Sequence, residues 1–145
     1  YGLHKGGRIM IDSYFSQNRW PKIVLQLAAL YNIAWGSSVV LFPEYIFKWV
    51  NAPLPTYLSI WQCVGMIVGV YGVGYFIASF NPTKHWAIIL VGLLGKFFGP
   101  IGFLYHIQKG TYPLQFGWVI IGNDLIWWGP FCIILYTVFK ESKYA

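Results

Sequence analysis

Charge is what this sequence has least of. Lysine, arginine, aspartate and glutamate make up 10% of the 145 residues, against roughly a quarter in an ordinary soluble domain. The chain has no CxxCH haem signal and no His/Cys/Glu spacing that matches a metal site. It also lacks a phosphate loop, a dinucleotide fingerprint and the familiar nucleophile motifs. These absences point away from an enzyme with a recognisable catalytic set. What is abundant is apolar: 57% of the residues are hydrophobic and 21% aromatic. A soluble chain of this size has too little interior to hide that much apolar surface.

The apolar residues gather into four runs, about 22–42, 58–80, 86–107 and 116–139. Each is long enough, at about 1.5 Å per helical residue, to cross a hydrocarbon core of roughly 30 Å. In lipid each must be a helix, because four strands cannot close a barrel. The expected fold class is therefore all-α. The chain reads as a single membrane domain over 1–145, built as an up-down bundle of four transmembrane helices. Residues 1–21 form a cytoplasmic or interfacial segment and 140–145 a tail. The opening residues carry no signal-peptide apolar core, so the first span is expected to serve as an uncleaved insertion signal. Ile9 to Trp20 is a candidate helix lying on the membrane surface.

The net charge of +6 does not imply nucleic acid, since the basic residues sit at the ends of apolar runs. Lys5, Arg8, Arg19, Lys22, Lys84, Lys140 and Lys143 fall on one side, and Lys48 and Lys109 on the other. The positive-inside rule then places both termini in the cytoplasm, with a bacterial inner membrane the expected location. Trp20, Trp49, Trp61, Trp86 and Trp118 lie near span ends as interfacial anchors. The aromatic, proline-rich loop 43–57 is expected to cap the outer end of the bundle, with Glu44 pairing Lys48 one turn on.

Gly65/Gly69 in the second span and Gly95/Gly99 in the third are GxxxG pairs. Such pairs let helix backbones approach closely, either inside the bundle or in a dimer. Pro100 and Pro130 each remove a backbone donor from a span and are expected kinks. Cys63 and Cys132 lie at different depths, too far apart to pair, and read as packing residues. His85 and His106 are separated by about 32 Å of helical rise, so they cannot share a metal or haem.

Two charges interrupt the apolar runs: Lys96 in the third span and Asp124 in the fourth. A charge at membrane depth is costly and usually has a partner and a purpose. Counted from the loop joining their spans, both lie roughly 12–17 Å deep, so an ion pair between neighbouring helices is expected. It reads equally as a static lock or as a proton relay or ligand site. Asn123, Asn32 and Gln62 complete the expected intramembrane polar centre, with Tyr31, Tyr71 and Trp127 lining a cavity.

The span count and lengths over Lys22 to Phe139, and the glycine-rich second span, resemble small four-helix bacterial membrane proteins of the DoxX-like type. HWAIILVGLLGKFFGPIGFL and GNDLIWW look like signatures of one such family. The resemblance carries no catalytic residues. Because such proteins are loosely tied to redox and respiratory functions, it implies an accessory role. The leading expectation is a non-enzymatic accessory or scaffolding subunit of a larger membrane complex, such as a respiratory or photosynthetic electron-transfer one. The alternative is a small carrier or proton-coupled ligand-binding protein centred on Lys96 and Asp124. A weaker one is a quinone-handling enzyme. Expected partners are the bilayer, other membrane subunits or a second copy. Bound lipid, quinone or pigment is the cofactor class in view.

Overall fold

The four apolar runs are helical, Phe42 at the end of the first excepted, in the computed structural model, which describes residue 15 and residues 17–143, with side chains to residue 140. Helix α1 spans Trp20–Leu41, a short α2 spans Tyr45–Trp49, α3 spans Leu58–Phe80 and α4 spans Trp86–Gln108. The last span opens with a 3-10 turn, Leu114–Phe116, then α5, Gly117–Ile120. A π-helical turn, Ile121–Leu125, leads into α6, Ile126–Lys143. No strand occurs among the described residues. The expected surface helix from Ile9 to Trp20 lies largely outside them.

Local chemistry sets the ends. Pro21 opens the first turn of α1, where its missing N–H has no helical partner to lose. Pro82 follows α3, and the Asn81 side chain accepts the Lys84 N–H at 2.9 Å to fix the turn. Helix α4 ends at Gly110, whose φ of +68° suits a residue without Cβ.

All four spans are apolar on the faces they turn outward. Leu30, Val70, Phe98 and Trp118 are each about two-thirds exposed or more. All four helices are long and apolar enough to cross a membrane. Lipid is the medium in which such a surface is stable.

Inside, α1 packs tightly on α3, and α4 on the last span. The first contact is backbone on backbone: a Cβ at Gly36 would strike the Gly65 carbonyl and the Gly69 amide. Gly65 and Gly69 therefore serve packing within the bundle, straddling Gly36. Gly95 is different. It is exposed, and a Cβ there would meet nothing. Within the bundle the Gly95/Gly99 pair brings no two helix backbones together; Gly99 instead faces the Asp124 carboxylate.

A core of Leu25, Ala28, Tyr75, Ile89, Phe131 and Ile134 fills the half of the bundle near the chain termini. At the other end Phe47 and Val50, from α2 and its C-terminal edge, bury against Phe116, with Trp61 and Phe103 alongside. The 43–57 loop thus packs on the bundle end, and Glu44 pairs with Lys48 at 2.6 Å on its surface. Although α3 and α4 are joined by the short turn 81–85, they touch far less than either touches its main partner. A gap is left between them.

Candidate functional site

The two charged residues meet at the middle of the bundle, but not as an ion pair. Lys96 and Asp124 are each 4% exposed. Among the described residues no contact joins them at ion-pair distance. Lys96 Nζ donates instead to the backbone carbonyl of Asn123 at 2.6 Å. The expected pair is thus corrected to a charge-assisted bond from lysine to a main-chain oxygen. The physical reason lies on the two helices. Asp124 is held aside by the Asn123 Nδ2, which donates to its Oδ1 at 3.0 Å. Its other oxygen rests over Gly99, 2.6 Å from where a Cβ would stand. The absent side chain at Gly99 makes room for the carboxylate one turn beyond Lys96.

Backbone irregularity supplies the acceptors. In the π-helical turn the Ile126 N–H reaches back five residues to the Ile121 carbonyl. That lengthened register takes nearby carbonyls out of the ordinary ladder. Gly122, Asn123 and Asp124 are among the poorer helix formers, which localises the defect. The Gly122 carbonyl accepts the Trp127 indole N–H at 3.2 Å, and the Asn123 carbonyl accepts Lys96. In α4 the matching defect is Pro100. A proline cannot donate to the carbonyl four residues back, and that carbonyl belongs to Lys96. Trp128 Nε1 donates to it at 3.0 Å. Each helix therefore sends one side chain to a main-chain carbonyl of the other. Both prolines lie inside continuous helix, so the departure from α geometry falls at Ile121–Leu125 rather than at Pro130.

Beside this stitch is a cavity of about 130 Å³ between the two helix pairs. Its walls carry Asn32 from α1, Tyr71 and Tyr75 from α3, Lys96 from α4, and Asn123 and Asp124 from the π-turn. Exposed Ile67 and Gly95 stand at its margin, so it opens between α3 and α4. Asn32 is 2% exposed, yet its Oδ1 has no hydrogen-bond partner, and neither has the Asn123 Oδ1. Buried amide oxygens are seldom left so. Lys96 Nζ also lies 6.0 Å from the Tyr75 ring centre and 5.8 Å from that of Trp127, within cation–π range.

Of the expected polar centre, Lys96, Asp124, Asn123 and Asn32 come together and Gln62 does not. Gln62 donates to the Val40 carbonyl at 2.9 Å, tying α3 to the end of α1. Tyr71 lines the cavity as expected. Tyr31 and Trp127 do not; their rings meet 5.8 Å apart, outside the cavity wall. Tyr75 takes the place expected of them, with Gly92 beneath its ring. Cys63 and Cys132 are free and exposed rather than packed. Among the described residues no three histidines, cysteines or carboxylates cluster to hold a metal.

No protein-family model, no curated protein and no solved structure matches the chain.

Proposed function

We propose that this is an integral membrane protein that binds a small polar group in its mid-membrane cavity. The observation that carries the reading is the pair of unpartnered amide oxygens on Asn32 and Asn123, two residues that line the same cavity as Lys96 and Asp124. A purely structural lock would close lysine on aspartate and leave no buried acceptor unused. Here Lys96 makes one hydrogen bond, and an ammonium has three N–H groups to give. This is the ligand-binding half of a carrier. Exposed apolar faces would suit an accessory subunit of a larger complex, but lipid alone accounts for them; it does not account for the cavity. Orientation follows from charge: the basic residues flanking the termini and Lys84 put that face in the cytoplasm, and a bacterial inner membrane suits the pattern.

The test uses a short-chain alcohol bearing a diazirine, photolysed with the purified protein in lipid nanodiscs. Saturable labelling of the Ile67–Tyr75 and Gly92–Gly99 peptides is expected, lost in Lys96→Met and in Asn32→Leu. Labelling spread over all lipid-facing surfaces, and unchanged in both variants, would overturn the reading.

A further inference from the structure

We infer that the ligand is a neutral lipid with a hydroxyl head, whose head enters the polar cavity while its chain lies in an apolar groove between α3 and α4. The inference rests on the cavity being a binding site and extends it to the class of molecule bound.

The groove is a separate feature of about 390 Å³, lined by Val70, Tyr71 and Gly74 of α3 and Ala87, Ile88 and Val91 of α4. Tyr71 lines both the groove and the polar cavity, so the two lie side by side. Two of its wall residues are small: Gly74 has no side chain, so the Ile88 side chain packs close to its backbone, and Ala87 has only a methyl. Its α4 wall runs from Val91 to Ala87, about 6 Å by helical rise, on the side of the cavity toward the end that holds the termini. Its walls offer apolar side chains and one tyrosine ring, a surface for a hydrocarbon chain.

The head is fixed by the cavity. At about 130 Å³ it holds a few heavy atoms, so an attached chain must leave through the opening beside Tyr71. Lys96 has N–H groups left to give, and Asn32 and Asn123 each bring an amide oxygen that has no partner. A hydroxyl does both at once. Lys96 and Asp124 carry opposite charges in one site, so the site has no net charge to offset an ionic head brought to membrane depth. Phospholipids and fatty carboxylates are disfavoured on that ground, and a carboxylate would also face Asp124.

The experiment labels the protein in nanodiscs with a long-chain alcohol carrying a diazirine midway along the chain. Crosslinks are expected in the Val70–Gly74 and Ala87–Val91 peptides, competed by the unlabelled alcohol and not by the matching carboxylic acid. Ala87→Trp fills the groove from an exposed position and should cut labelling about tenfold, the equivalent of losing about two buried methylenes. Val91→Trp, also at an exposed site, repeats the test should the first variant fold poorly. In both, labelling by the short-chain alcohol should persist. Equal competition by the acid, or full long-chain labelling in both tryptophan variants, would overturn the lipid assignment and leave the cavity reading standing. Loss of long-chain labelling in the groove variants with none in Lys96→Met would overturn the polar head site instead.

Discussion

Replacing Trp128 by phenylalanine tests whether proline and tryptophan are coupled across the α4 interface. Pro100 cannot donate to the Lys96 carbonyl, and the Trp128 indole does so at 3.0 Å. Phenylalanine keeps a ring against Phe97, whose centre lies 4.1 Å from that of Trp128, but it has no donor. Leaving a buried carbonyl unpaired costs about 1–3 kcal/mol, and trimming the aromatic contact costs about another 0.5–1 kcal/mol. The single variant should therefore lose about 2–3 kcal/mol. In a Pro100→Ala background the residue 100 N–H can reach the Lys96 carbonyl in the ordinary helical ladder. The hydrogen-bond part of the loss then disappears and only the ring part remains. The double-mutant cycle should show a coupling of about 1–2 kcal/mol. Reversible unfolding in mixed SDS–detergent micelles, followed by near-UV circular dichroism, gives the four free energies. A coupling below about 0.5 kcal/mol would refute the claim that tryptophan replaces the donor proline lacks.

Other perturbations separate packing from site. Gly36→Ala should destabilise by about 1–3 kcal/mol in the same unfolding assay, because its Cβ meets backbone atoms that cannot yield, whereas Gly69→Ala has open space and should be neutral or stabilising. Gly99→Ala should push the Asp124 carboxylate off its seat, 2.6 Å from the new methyl, and abolish short-chain alcohol labelling while the protein still folds. Asn32→Leu removes an unpartnered buried oxygen, so unfolding should show stability kept or raised by about 1 kcal/mol even as labelling is lost. Reporter fusions should find the C-terminus in the cytoplasm and the 110–113 turn on the opposite face; the reverse would overturn the charge-based orientation.

The spans were legible because length and hydropathy alone decide them. Leu58–Phe80 matches the expected bounds, and the other three shift by a residue or two. The depth of Lys96 and Asp124 was legible for a similar reason, since rise per residue needs no tertiary knowledge. Facing directions were not. A helix apolar all round carries no periodicity to say which tyrosine turns inward, and so Tyr31 was expected where Tyr75 stands. Gly36 does carry a signal, since Ala29, Asn32 and Gly36 form a stripe at helical spacing. The π-turn had a signal in Gly122-Asn123-Asp124, three poor helix formers in succession inside an apolar span. Which carbonyls it would free, and which side chains would take them, depends on the neighbouring helix.

That dependence explains how one lysine can serve both as a structural tie and as part of a site. A lysine that closed on aspartate would have its charge answered and its donors committed. Here the main-chain oxygen of Asn123 fixes the ammonium through one N–H, while Trp128 holds the backbone of the same residue from the other side. The position of Lys96 is thus set by the two broken ladders rather than by the carboxylate. Asp124, seated over Gly99 and bonded to the Asn123 side chain, is held independently of it. On the proposed reading Lys96 and Asp124, each tied by its own hydrogen bond, form a preorganised polar site, because neither must move for a small dipolar group to bind. Pro100, the π-turn and the unpartnered asparagines would be unrelated oddities in a simple lock. Around a binding cavity each has a place: two break the ladders, one side chain from each helix mends the other's break, and the asparagines present the acceptors left over.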